Sequence, residues 1–137
     1  MTHIRPYTQV LDRLRNAALR PTRQRLALAR ILFEHGDRHL TAEHLHTEAL
    51  QAGIRVSLAT VYNTLHQFTA AGLLREIVVD AGRSYFDTNT SVHHHFFNER
   101  TGVLEDIPGG DIVVDRLPAA PPGMTIKRVD VIVRIDR

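Results

Sequence analysis

Three consecutive histidines, His93, His94 and His95, are the residues in this chain best suited to chemistry. On an extended strand alternate side chains share a face, so His93 and His95 point together while His94 points away. Two imidazoles at that spacing can take one metal ion without straining the backbone. Asp87 and Asp106 end the strand candidates on either side, and His39 lies in the loop before the third helix. His39, Asp87, His93, His95 and Asp106 together offer three nitrogens and two carboxylates, a donor set for Mn²⁺, Fe²⁺ or Zn²⁺. Haem is a second ligand for His93, His94 or His95. Two histidines on one side of a strand cannot be trans ligands across one porphyrin. A six-coordinate haem would need one of the triplet and a distant partner, such as His39, His44, His46 or a histidine of another subunit. At this stage metal and haem stand side by side. A third use, the facial triad of a small non-haem metal enzyme, needs a substrate pocket and a base that no residue supplies, so no catalysis is expected.

No cysteine occurs among the 137 residues. That excludes a disulfide scaffold, a thiolate nucleophile, an iron–sulfur cluster and a zinc site built on sulfur. Apolar residues at 43% and charged residues at 23% describe a folded chain rather than a disordered one. No uncharged apolar run approaches the ~18 residues of a membrane span, and no apolar segment after Met1 makes a secretory signal. A cytoplasmic setting is the expectation.

A second chemistry lies in the charge pattern. Residues 1–33 carry seven arginines (5, 13, 15, 20, 23, 25 and 30) against one acid, Asp12. Residues 84–137 carry eight acids against six basic residues. A basic front and an acidic rear predict a polyanion-binding half joined to a half with another task. The reading element is a helix over 58–71. Its apolar stripe, Leu58, Val61, Leu65 and Phe68, leaves Ala59, Thr60, Tyr62, Asn63 and Thr64 pointing mostly outward. A small, polar face near a helix N-terminus fits the major groove of duplex DNA. Asn63 can pair with an adenine edge, while Tyr62, Thr60 and Ala59 can meet thymine methyls or phosphates. Ser57 at the helix start joins this face, and Arg20 and Arg23 are placed to hold phosphates.

The elements that position these residues follow from period and punctuation. Val10, Leu11, Leu14, Ala17 and Ala18 recur at helical spacing, with Pro21 closing the run. Thr22 caps a second helix carrying Leu26, Ala29, Ile31, Leu32 and Phe33, stopped at His35-Gly36-Asp37. Thr41 caps a third, with Glu43 favourable in its first turn and Leu45, Ala49 and Leu50 buried. Ser57 caps the fourth, and Gly72 is its left-handed stop. Leu74–Val79 and Ser84–Asp87 are strands of a hairpin around Asp80-Ala81-Gly82-Arg83. Helices followed by a hairpin give a winged helix-turn-helix. Thr88–Ser91 is the linker, so residues 1–88 form the DNA-binding domain, 89–92 a hinge and 93–137 a second domain. In the latter, His93–Asn98, Val103–Ile107 and Thr125–Ile135 are strand candidates, and Asp111–Leu117 a short helix. The fold class is α+β, a winged helix followed by a small α/β dimerisation domain with an antiparallel sheet.

Leu19-Arg-Pro-Thr-Arg-Gln-Arg25, Arg38-His-Leu-Thr-Ala-Glu43, Val56-Ser-Leu-Ala-Thr-Val-Tyr62 and Tyr85-Phe-Asp87 followed by His93-His-His95 resemble the ferric uptake regulator superfamily. Thr60-Val-Tyr-Asn-Thr-Leu65, Gln67-Phe-Thr69 and His93-His-His-Phe-Phe97 are most similar to its haem-responsive branch, the iron response regulators. The resemblance implies a homodimeric transcription regulator of iron or haem metabolism, bound to A·T-rich inverted repeats in double-stranded DNA. Its regulatory metal ligands fall on His39, Asp87, His93, His95 and Asp106. A metal-dependent peroxide sensor of the same superfamily would use similar ligands. The departures are specific. The first Cys-x-x-Cys pair of the superfamily's structural zinc falls on Asn98 and Thr101, and the cysteine-based haem motif is absent too. Asn63 stands where most members have arginine, which implies a different operator. A further site of the superfamily falls on Val92, His94, a position near Asp111, and Asp130, where Val92 cannot ligate.

Overall fold

The computed structural model describes residues 6–137. Arg5, counted with the basic front, lies outside them. Four helices come first: α1 (Pro6–Asn16), α2 (Arg23–Phe33), α3 (Ala42–Gln51) and α4 (Leu58–Ala70). Each of the last three starts on the side chain expected of it. The hydroxyls of Thr22, Thr41 and Ser57 accept from the backbone N–H of Arg25, His44 and Thr60, satisfying donors that the first helical turn leaves open.

The C-terminal ends are set by a different device. At α3 and α4, Gly53 (φ 78°) and Gly72 (φ 81°) take the left-handed conformation. In each case the residue that follows the glycine bonds back, Ile54 N–H to Ala49 O and Leu73 N–H to Phe68 O. The same closure ends α1, with Leu19 N–H on Leu14 O at 2.9 Å. There the left-handed residue is Ala18, at φ 59°. Pro21 therefore does not end the first helix. The chain turns out at Ala17 and Ala18 because Leu19 packs against the core, and Ala18 tolerates the conformation that glycine would take freely.

Chain-contact boundaries divide the molecule between Thr90 and Ser91. The first unit holds the core: Leu14, Leu28, Leu32, Leu45, Leu65, Phe68 and Phe86 are at most 1% exposed. Burial of each such side chain contributes about 1.5–3 kcal/mol. Two expectations about its helix faces need correction. Leu50 is 52% exposed, because α3 turns its Ala42–Leu45–Ala49 face inward. Thr64 is buried at 5%, since it sits on the inner side of α4 beside Val61, Leu65 and Phe68. The wing is the hairpin of β2 (Arg75–Asp80) and β3 (Arg83–Asp87), with a register irregularity between Val78 and Asp80. A two-residue strand β1 (His39–Leu40) lies on its other side, giving the order β1–β3–β2. The sequence places His39 in a loop. It is a strand residue because Arg38 and Thr88 exchange bonds across the sheet end, Arg38 N–H to Thr88 Oγ1 at 2.8 Å and Thr88 N–H to Arg38 O at 2.9 Å.

The second unit is a three-stranded sheet of β4 (His95–Asn98), β5 (Leu104–Asp106) and β6 (Ile132–Ile135), ordered β5–β4–β6. The β4–β5 pair is antiparallel but β4–β6 is parallel, so the sheet is mixed. The first strand starts at His95, two residues later than expected. Thr125–Ile135 contributes only its last four residues, and Asp111–Leu117 is irregular rather than helical. Pro108-Gly-Gly110 ahead of it and Pro118 behind leave too little chain for a stable turn of helix. Its buried residues are few: His95, Phe97, Leu104 and Ile107. No helix among the described residues is long and apolar enough to cross a membrane.

Candidate metal centre and nucleic-acid interface

In the first unit, β1 and β3 bring two of the expected ligands into register. His39 is the Cα partner of Asp87, and each offers a ligand atom within 4.8 Å of the other. Asp87 is 1% exposed and its Oδ1 accepts the Asn89 N–H at 2.9 Å. A carboxylate so deeply placed requires hydrogen bonds or a cation.

The second unit does the same with His95 and Asp106, register partners across β4 and β5. His95 Nε2 lies 3.2 Å from Asp106 Oδ1, and His93 Nε2 lies 3.3 Å from the same oxygen. The two rings are 4.5 Å apart between centroids. His93 precedes the strand, yet its ring still joins that of His95. The reason is local: His93 Nδ1 donates to the Ser91 carbonyl at 2.7 Å, which aims Nε2 at Asp106. A neutral ring that donates from Nδ1 has a lone pair on Nε2. Two nitrogens and a carboxylate oxygen converging in this way are satisfied by protons or by a cation.

His94 is turned elsewhere. Its Nδ1 accepts the Val131 N–H at 3.1 Å, and His95 N–H bonds Val131 O at 3.2 Å. His94 thus anchors the chain just before β6. Of the further superfamily positions, Val92 is 82% exposed and Asp130 pairs with Arg128 at 2.9 Å. At Asn98 and Thr101 the β4–β5 turn is held by an amide. Asn98 Oδ1 accepts from the N–H groups of Arg100 (3.0 Å) and Thr101 (3.1 Å), and Gly102 N–H closes on Asn98 O at 2.8 Å.

The helix face is built from α4 and its neighbours. Ala59 and Asn63 are exposed, and Thr60 and Tyr62 half-buried. A groove of about 430 Å³ between the start of α2 and α4 is lined by Arg20, Arg25, Thr60, Asn63 and Gln67, among others. It collects Arg20, Thr60 and Asn63 from the expected face; Arg23 is exposed outside it. Arg25 had carried no assigned role. Its Nε and Nη2 hold Gln67 Oε1 at 3.2 and 3.0 Å, and Nη1 reaches Arg20 O at 2.9 Å. That fork sets the spacing of α2 and α4. No local pattern reveals it, because its partner is 42 residues away.

Glu43 is the second residue whose part was missed. It accepts the Tyr62 hydroxyl at 2.7 Å. The bond holds the Glu43 carboxyl below its ordinary value of 4.5 and the Tyr62 hydroxyl above 10.0. Both residues line a cavity of about 670 Å³ between α4 and the wing, which His66, Glu76, Asp80 and Arg83 also line.

Comparison with known proteins gives the frame for both features. The Ferric uptake regulator family matches residues 16–133. The ferric uptake regulation protein of Pseudomonas aeruginosa is 40% identical over 100 residues, 72% of this chain and 75% of that protein. That of Legionella pneumophila is 35% identical over 96 residues, 69% of this chain and 71% of that protein. The solved structure of the Pseudomonas aeruginosa regulator with manganese superposes with a TM-score of 0.70 at 27% identity. It covers 93% of this chain and 96% of that one. A winged helix, a short β-rich second unit and a sequence match across nearly all of both have one explanation: the chain belongs to the ferric uptake regulator family.

Proposed function

We propose that two copies of this metal-responsive transcription regulator bind an A·T-rich inverted repeat through α4, controlled by a divalent ion held by His39, Asp87, His93, His95 and Asp106. The observation that carries the metal reading is the pair of preformed half-sets. His39 faces Asp87 in register, and His93 and His95 aim Nε2 at one oxygen of Asp106. Nitrogen and oxygen donors without sulfur suit Mn²⁺, Fe²⁺ or Zn²⁺, and the related Pseudomonas aeruginosa structure was solved with manganese. Bound there, the ion supplies positive charge to two carboxylates. The residues of this chain do the rest. His39 and Asp87 lie at the base of the wing, and the other three ligands begin and end the β4–β5 hairpin. An ion acts as a switch only through its differential affinity for the DNA-competent state.

The dimer reading is supported by the second unit's composition. Four buried residues are a small core for its 47 residues, while Val113, Val114, Leu117, Met124 and Ile126 are 42–77% exposed. Two copies place two α4 helices on the half-sites of one inverted repeat. The haem-responsive reading rests on the motifs of α4 and of the histidine triplet. Haem that takes His93 or His95 removes a ligand from the metal set, and haem that takes His94 releases Val131. Regulation rather than catalysis is the office of these ligands, in keeping with the family.

Calorimetry with Mn²⁺ tests the centre. His93→Ala and His95→Ala are expected to abolish binding of the ion, and unchanged affinity in both refutes the site. A Soret titration of the same variants decides the haem reading. For the DNA face, Asn63→Ala should cost about 1–3 kcal/mol and relax preference at one base pair per half-site. Arg23→Ala should weaken all duplexes alike and shallow the salt slope by about one. Uniform loss across operator variants in Asn63→Ala removes Asn63 from base reading.

A further inference from the structure

The Tyr62 hydroxyl carries one proton, and Glu43 takes it at 2.7 Å. Glu43 is well placed to be the ionised acceptor. It sits in the first turn of α3, two residues after the Thr41 cap, where the helix dipole favours negative charge. The ring of Tyr62 is fixed from its other side as well. It stacks on His66, one turn along α4, at 6.3 Å and 21°, and His66 meets Phe86 of the wing edge-on at 5.7 Å. Tyr62 packs against the core with part of its surface exposed. Its rotamer is therefore held at the tip and on one face before any nucleic acid arrives.

This arrangement separates two roles open to a tyrosine on a groove-facing helix. A phosphate oxygen can only accept, so Tyr62 cannot donate to one while Glu43 holds its proton. What it keeps is ring surface, which is apolar and suited to a thymine methyl group. The carboxylate also repels phosphate close to the tyrosine tip. We infer that Glu43 is a specificity-determining positioning residue, which commits Tyr62 to apolar reading of thymine and away from the phosphate backbone. The inference rests on the reading of α4 as the DNA-contacting helix.

The test uses the full chain loaded with Mn²⁺ and a duplex selected by it from a randomised pool. Affinity is measured for that duplex and for versions with deoxyuridine replacing one thymine at a time. Wild type should lose about fourfold for the methyl under Tyr62, at one position in each half-site. Glu43→Ala should shrink that penalty below about twofold and tighten binding to random duplex, while Glu43→Gln, whose amide oxygen still accepts, restores most of the penalty. Tyr62→Phe breaks the same bond from the other end and should shrink the methyl penalty as Glu43→Ala does, but without a hydroxyl to donate to phosphate it should leave binding to random duplex no tighter than in wild type. A full methyl penalty in Glu43→Ala or in Tyr62→Phe overturns the inference. Failure of the wild type to bind any duplex overturns the DNA reading itself, a separate outcome.

Discussion

His94 lies between two histidines that share a carboxylate, yet its own ring serves the backbone of Val131. His94→Ala should therefore leave Mn²⁺ affinity intact while costing about 1 kcal/mol of stability, the usual worth of one side chain to backbone bond. Calorimetry and chemical denaturation read the two effects separately, and equal loss of Mn²⁺ affinity in all three single variants would defeat the division. The Glu43–Tyr62 bond gives a pH signature. Glu43 is depressed, so its contribution is present above 4.5 and is lost as pH falls through the lower folded value. Tyr62 is raised, so its contribution is present below 10.0 and is lost as pH rises through the higher folded value. Wild type minus Tyr62→Phe stability should form a plateau between those limits and decline outside them, whereas a flat difference across all pH would mean that the bond contributes nothing. Alternation along an extended chain predicts the division of His93 and His95 from His94, although His93 precedes β4 and owes its aim to the Ser91 carbonyl. The bond from Tyr62 to Glu43, 19 residues away, depends on how α3 packs on α4, and no spacing rule contains that.

Helix starts were legible because the information is local: a hydroxyl at Thr22, Thr41 or Ser57 and a donor three residues on. Helix ends were legible where glycine marks them, at Gly53 and Gly72, and not at Ala18. There the tertiary pull on Leu19 outweighs the cost of a left-handed alanine. Ala18→Gly should raise stability by about 1 kcal/mol, the left-handed penalty less the glycine entropy cost. A lowered denaturation midpoint would show that Ala18 contributes more by packing than it loses in backbone strain. The strand β1 was missed for a comparable reason. Two residues carry no period, and His39–Leu40 becomes a strand only through the pairing of Arg38 with Thr88 and of His39 with Asp87. Arg38 also grips the helices, with Nη1 on Ile31 O and both Nη atoms on Glu48 at 3.0 and 2.7 Å. The segment carrying His39 is thereby tied to α2 and α3.

At the scale of the whole molecule, the winged helix was readable from the order of caps, stripes and hairpin. The second unit was less so. Its 108–131 stretch has β-branched residues that suggest strand and prolines that forbid regular structure, and only pairing with β4 picks out Ile132–Ile135. Exposed Val113, Val114, Leu117, Met124 and Ile126 along that stretch mark where a second copy is expected to lie. Removing residues 92–137 should give a monomer by light scattering, with operator affinity far below that of the full chain. Undiminished affinity for the palindrome would place the pairing surface in the winged helix instead.

The turn at Asn98 has a consequence for the conditions this regulator withstands. A hairpin pinned by zinc thiolates comes apart when zinc is scarce or when peroxide converts its sulfurs to disulfide or sulfinic acid. Here an amide oxygen and the backbone of Arg100, Thr101 and Gly102 do the pinning, and the 137 residues hold no sulfur but that of two methionines. Oxidants and chelators have nothing to take from that knuckle, so the turn itself should hold when either is applied.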